Sequence, residues 1–190
     1  CSQAISNGNF ASTGGWVLSG ASRVYFDGSW RLRLGGSPST NHAAYQTVSI
    51  PPDIDLGANL SFAWYMATDE GSSGHGWDDF YMEVRDTSDR PQAVYELRND
   101  GWPQNIWLSG DNIDLAPFAG QTVRVAFYAQ NDEALPTTFY VDNVDLQLCT
   151  NMVPDLSIVK QIVGDNDFAP GDPIEFSLSI SNNGNVIAND

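Results

Sequence analysis

The sequence predicts an all-β protein, with an antiparallel β-sandwich over residues 1–150 and a short strand-bearing piece over residues 151–190. Three observations predict it. Apolar and polar residues alternate with period two in one segment after another, and no stretch carries the 3.6-residue period of a helix. Clusters of Gly, Pro, Asn, Asp and Ser separate those segments. At "CTNMVPD", residues 149–155, the character changes, and all six tryptophans lie before it.

The elements follow in order. "WRLRLGG" places Leu32 and Leu34 on one face and arginines on the other. "AYQTVSIPP" turns Val48 and Ile50 inward and stops on two prolines, which cannot continue a ladder. In "LSFAWYMAT" Leu60, Phe62, Trp64 and Met66 share the inner face. "DFYMEVRD" repeats this with Phe80, Met82 and Val84 inside and Tyr81, Glu83 and Arg85 outside. "QTVRVAFYAQ" buries Val123, Val125 and Phe127. "FYVDNVDLQL" breaks its own period: Phe139 and Val141 are odd-numbered, Val144, Leu146 and Leu148 even. A bulge at Asp142-Asn143 repairs that register and turns a carboxylate aside. Trp16, Trp30 and Trp64 are assigned to the core. Turn-rich pieces such as "STGG", "GGSPST", "EGSSGHG" and "NDGWP" join the strands, and eight or more strands so joined make a sandwich. Beyond residue 155, Leu156 and Ile158 alternate, "APGDP" turns, and Ile174, Phe176, Leu178 and Ile180 alternate again. That supplies about three strands, too few to close a sandwich.

Composition narrows the function. Of 190 residues 42% are apolar and 12% aromatic, enough for a packed core. The net charge is −16. Seven arginines face eighteen acids in residues 1–150, and Lys160 faces six in the remainder. Such a surface does not neutralise a phosphate backbone, so nucleic acid is excluded as a partner, and anionic lipid with it. Acidity suits divalent cations. No apolar run reaches the ~18 residues of a membrane span. The chain starts at Cys1 without a Met and reads as a processed or trimmed product. Cys1 and Cys149 bound the Trp-bearing part. A disulfide between them is the preferred reading and implies an oxidising, extracellular setting. A lipidated first cysteine and a pair of buried free thiols are the alternatives.

The order "NGNF…GW…DGSWRLRLGG…YQTVSIP…LSFAWYMAT…DFYMEVRD…IDLAPFAGQTVRVAFYA…FYVDNVDLQL" resembles the concanavalin-like jelly rolls of bacterial secreted proteins. It is similar to MAM-like modules and to the carbohydrate-binding jelly rolls attached to glycosidases and peptidases. The resemblance covers residues 1–149 and implies a non-catalytic extracellular module of two antiparallel sheets. It also implies a structural Ca²⁺ between the first strand and the last, with Asn9, the Asp27-Gly28 turn and Asp142 as ligands. Ala11 departs from that pattern, because an acid commonly stands there. Residues 154–190, "PDLSIVKQIVGDNDFAPGDPIEFSLSISNNGN", resemble the start of a bacterial Ig-like surface repeat, so the second piece is expected to be an incomplete Ig-like β-sandwich.

The loop "ATDEGSSGHGWDDFYMEVRD" carries Asp69, Glu70, Asp78 and Asp79. Paired carboxylates at glycosidase spacing are conceivable across a hairpin. The loop offers no apolar wall to raise one pKa, and its Gly/Ser hinge lacks preorganisation. No enzyme is expected. Calcium is the expected cofactor, structural in role, with Asp69, Glu70, Asp79 and Asp142 as residue-based candidates. For a glycan the candidates are Trp77, Tyr81, Trp102 and Trp107 as stacking rings, with Asn99, Asp100 and Gln104 as hydrogen-bonding groups. Neither His42 nor His75 has a partner at zinc spacing, and no nucleophile elbow or phosphate loop occurs.

These features define three function classes. The first is an adhesive or glycan-binding head on an Ig-like stalk, its partner a glycan or a surface protein. The second is a structural subunit of a fibre or surface layer, self-associating as a neighbour completes the Ig-like part. The third is an accessory module of a secreted hydrolase.

Overall fold

The computed structural model describes residues 1–68, 70, 78–98, 102–150, 155–164 and 168–184. It divides into two units, residues 1–150 and 151–190. Among the described residues no helix is long and apolar enough to cross a membrane.

The first unit is an antiparallel jelly-roll β-sandwich. Its strands are β1 (Ser2–Gln3), β2 (Val17–Ser19), β3 (Ser22–Phe26), β4 (Ser29–Gly35), β5 (Asn41–Ser49), β6 (Gly57–Ala67), β7 (Asp79–Arg85), β8 (Pro91–Glu96), β9 (Trp107–Asp114), β10 (Thr122–Gln130) and β11 (Thr138–Cys149). One sheet runs β3-β4-β11-β6-β9, with β1 paired to the end of β11. The other runs β2-β5-β10-β7-β8. A 3-10 turn, Ala116–Phe118, precedes β10.

Alternation sorts each strand into a buried face and a wetter one. Leu60, Phe62, Trp64 and Met66 of β6 are buried and meet Phe80, Met82 and Val84 of β7 and Val123, Val125 and Phe127 of β10. The centre is aromatic: Phe80 stacks on Phe139 at 4.8 Å, Trp64 lies 5.8 Å from Phe80, and Phe62 meets Phe127 edge-on at 5.0 Å. Such pairs add directional contact to the area they bury. Two side chains depart from the pattern. Trp30 is 39% exposed, lying at the β3–β4 hairpin under Arg23 rather than in the core. Glu83, on the outer face of β7, is buried because Arg85 folds over it.

The β11 ladder shifts register between Asp142 and Asp145, where Asn143 adopts φ 50°. This is the bulge that the broken period predicts. The N-terminal segment crosses it closely. Val144 N–H donates to the Gly8 carbonyl, and a Cβ on Gly8 would collide with the Val144 carbonyl. The ladder from Ser2↔Leu148 continues outward to a disulfide between Cys1 and Cys149, whose Cα atoms are 4.0 Å apart.

The second unit contains an antiparallel hairpin of β12 (Leu156–Ile162) and β13 (Phe176–Asn182). Its register puts Leu156, Ile158, Ile162, Phe176, Leu178 and Ile180 on one face, with Lys160 among them against Phe176. The other face carries Ser157, Ser177, Ser179 and Ser181. Ile174 lies before the strand rather than in it.

Candidate functional site

Each sheet of the first unit turns a set of rings outward, and the two sets differ. On the first sheet Phe26 stacks flat on Tyr140 at 3.9 Å, Tyr65 meets Phe26 edge-on at 5.2 Å, and Trp107 lies 5.5 Å from Tyr65. Trp107 donates its indole N–H to Asp27 at 2.8 Å, and the Arg31 guanidinium sits 4.7 Å from the Trp107 ring. Arg31 also forms an ion pair with the buried Asp142. Burial lowers the Arg31 pKa from its ordinary value, and Asp27 partly restores it. These rings pack on one another, each half-buried.

The second sheet is different. Tyr45 of β5, Tyr128 of β10 and Tyr81 of β7 point outward, each half-buried, alternating with buried neighbours. Cross-strand register sets Tyr128 between Ala43 and Tyr81, and Ala126 between Tyr45 and Glu83. Tyr81 and Tyr128 stand 6.5 Å apart, so neither covers the other. Two alanines, Ala43 and Ala126, thus stand among the three rings. Charged groups frame it in a lattice: Arg85 with Glu83 and Asp89, Arg124 with Asp89, and Arg98 with Asp79 and Glu96. Arg124 lies over Tyr45 and Arg85 over Tyr128. Burial first, then the hydrogen bond to Asp79, pushes the Tyr81 phenol up to about 12. The fold favours the neutral phenol. Stability tied to Tyr81 is therefore whole below its ordinary 10.0 and is lost as pH rises through about 12.

The sequence candidates are thus dispersed. Tyr81 belongs to the second sheet and Trp107 to the first. Trp102 is 43% exposed and edge-on to the core Trp64 at 5.7 Å, and Gln104 donates to the Glu70 carbonyl. Trp77, Asn99, Asp100 and Asp69 lie outside the described residues. Tyr128 was legible as outward-facing from alternation. Its adjacency to Tyr81, and the part of Tyr45, Arg85 and Arg124, depend on strand register.

The carboxylates disperse as well. The residues implied for calcium by resemblance each carry a contact of their own. Asp142 pairs with Arg31 through Oδ2, and its buried Oδ1 has no hydrogen-bond partner. Asp27 accepts from Trp107, and Asn9 accepts from the Ala11 N–H in its own turn. Asp79 faces Arg98. Among the described residues the one trio of converging acidic donors is Glu70, Asp78 and Asp132, within 4.8 Å of one another. Asp78 is fully buried and accepts the backbone N–H groups of Asp132 at 2.8 Å and Thr137 at 2.6 Å. It thereby pins the loop before β11.

No protein-family model and no curated protein matches the chain. Solved structures do. The carbohydrate-binding module TmCBM61, solved in complex with β-1,4-galactotriose, superposes with a TM-score of 0.54 at 12% identity, over 78% of this chain and 99% of that one. An arabinose-bound α-L-arabinofuranosidase, MgGH51, gives 0.51 at 10% identity, over 76% of this chain. Here the chain spans only 26% of the other protein's length. At these identities the likeness is one of fold.

Proposed function

We propose that residues 1–150 are a non-catalytic, extracellular glycan-binding head of a cell-surface protein, with Tyr45, Tyr81 and Tyr128 as its sugar platform. The observation that carries this reading is the trio of half-buried, outward-facing rings that cross-strand register sets around Ala43 and Ala126. Pyranose faces stack on such rings, and the surrounding arginines, carboxylates and phenol hydroxyls pair with sugar hydroxyls. Support comes from the fold shared with TmCBM61, whose structure holds a galactan fragment, and from the disulfide, which suits an oxidising compartment. The Ig-like reading of residues 151–190 completes the proposal as a stalk.

The test is calorimetric titration of β-1,4-galactotriose, with a glycan array for other saccharides. Tyr81→Ala and Tyr128→Ala are expected to weaken binding at least about tenfold, while circular dichroism shows the fold intact. Affinity should be level through neutral and mildly alkaline pH, because Tyr81 does not ionise there. A wild-type chain that binds nothing on the array, or variants that bind equally well, would overturn the proposal.

Calcium is carried in this reading as a structural ion, on the described carboxylates that converge: Glu70, Asp78 and Asp132. A melting temperature that rises with Ca²⁺ and falls with EDTA supports it, and an unchanged one removes the ion.

The hairpin of the second unit favours a second reading, a fibre or surface-layer subunit. Ile158, Leu178 and Ile180 are each more than 60% exposed on one face, and a two-stranded sheet is marginal alone. In this reading a neighbouring copy supplies the cover. Light scattering would then show polymers that grow with concentration.

A further inference from the structure

Seven arginines lie in the first unit, and Arg33 stands apart from the rest. Arg31, Arg85, Arg90, Arg98 and Arg124 each face a carboxylate. Arg23 donates to the carbonyls of Phe10 and Ala11 and lies on Trp30. Arg33, half-buried on β4, is in no ion pair among the described residues, and its charge lies near His42, whose pKa it lowers together with burial. In a chain of net charge −16, a half-buried cation left without a counterion is the exception, and burial without one is costly.

Its surroundings are donors. The space that a side chain on Gly36 would fill is taken by the Arg33 Nη2 and the Thr138 Oγ1, so these two groups are neighbours. Thr138 also lines a polar pocket of about 250 Å³ with Ala67, Thr68, Asn105 and Pro136. Asn105 accepts from the Tyr65 hydroxyl at 3.4 Å through its side-chain oxygen, which leaves its N–H groups to donate. Thr68 Oγ1 accepts from the Thr137 hydroxyl at 2.9 Å and from the Glu70 N–H at 3.1 Å, so its own proton is available. Two hydroxyls and one amide thus line the pocket, and the Arg33 guanidinium stands beside Thr138 at its edge. The acidic trio that includes Glu70 lies beyond Thr68.

We propose that this corner is a second saccharide site, separate from the tyrosine platform, and that it takes a sugar unit bearing a single carboxylate. Arg33 and Thr138 hold the carboxylate, the planar fork of Arg matching its two oxygens. Thr68 and Asn105 hold ring hydroxyls.

The experiment is an amide-resolved NMR titration of the full chain with galacturonate, galactose and acetate, repeated on Arg33→Gln and Thr138→Val. Galacturonate is expected to shift the amides of Arg33, Thr138 and Asn105. Galactose and acetate should each bind at least about tenfold more weakly, since each lacks half of the recognised chemistry. Arg33→Gln should lose at least about tenfold toward galacturonate. Thr138→Val, which keeps the shape, should lose less. The β-1,4-galactotriose titration reports on the tyrosine platform alone, so failure there and failure here are distinguishable. Galacturonate affinity retained in Arg33→Gln, or galactose or acetate binding as tightly as galacturonate, overturns the proposal.

Discussion

Asp142→Ala is expected to destabilise the first unit by about 3–5 kcal/mol, the usual cost of stranding one member of a buried ion pair. For a domain of this size that lowers the melting temperature on the order of 10 °C. Asp142 is 3% exposed and sits at the β11 bulge, where Arg31 reaches it from β4. Without the carboxylate, Arg31 keeps its burial and loses its counterion, and its contact with Trp107 cannot replace a charge. The position is also the hinge of the ladder: the bulge aligns Phe139 and Val141 with Val144, Leu146 and Leu148 on one buried face. The double variant Arg31→Met with Asp142→Leu removes both charges and is expected to recover most of the loss, because an apolar pair of similar volume avoids the desolvation that an ion pair carries. A calcium ligand at Asp142 makes the opposite prediction. The double variant would then be as damaged as the single one, and EDTA would destabilise the wild type but neither variant. Thermal melts of the three proteins with and without EDTA separate the two accounts.

Asp142 also shows what a sequence can carry. Its bulge was legible, because a slip from odd to even apolar positions is a local signal and a strand has few ways to absorb it. Its partner was not. Arg31 is over a hundred positions away, and only the β4–β11 register brings it opposite. The same distinction divides the rings. Alternation shows that Tyr81, Tyr128 and Tyr65 leave the core face. It does not show that Tyr81 and Tyr128 are cross-strand neighbours while Tyr65 and Trp107 lie on the other sheet, covered by Phe26 and Arg31. Trp30 went astray because a tryptophan in a strand reads as core, whereas an edge hairpin can lay its ring beneath an arginine. Asp132 left no signal: its place beside Glu70 and Asp78 follows from Asp78 capturing two backbone N–H groups of a loop more than fifty residues later. Strand identity is a property of neighbours in the chain, while a site on a sheet face is a property of register.

Opening the Cys1–Cys149 bridge is the second large perturbation. The disulfide closes nearly the whole first unit into one loop, with a sequence separation of 148. In the chain-entropy account, releasing a loop of that length frees the unfolded ensemble by about 5 kcal/mol. The native structure alone gives little reason for so large an effect. β1 is two residues long, and the N-terminal segment is also held by Ala4 N–H on the Leu146 carbonyl, by Gln3 accepting from Leu146 N–H, and by the buried Ile5 and Phe10. If native contacts set the loss, Cys1→Ser with Cys149→Ser would only fray β1, and the melting temperature would hardly move. If the unfolded state sets it, the whole unit melts earlier, on the order of 10 °C, while the folded protein keeps its near-ultraviolet circular dichroism. The second outcome is expected. Hydrogen exchange distinguishes them directly: a global effect lowers protection at the central strands β6, β10 and β11 together, and fraying lowers it only at β1 and the end of β11. A fold that relies on this bridge is suited to a compartment that keeps thiols oxidised, which ties the extracellular reading to a measurable loss under reducing conditions.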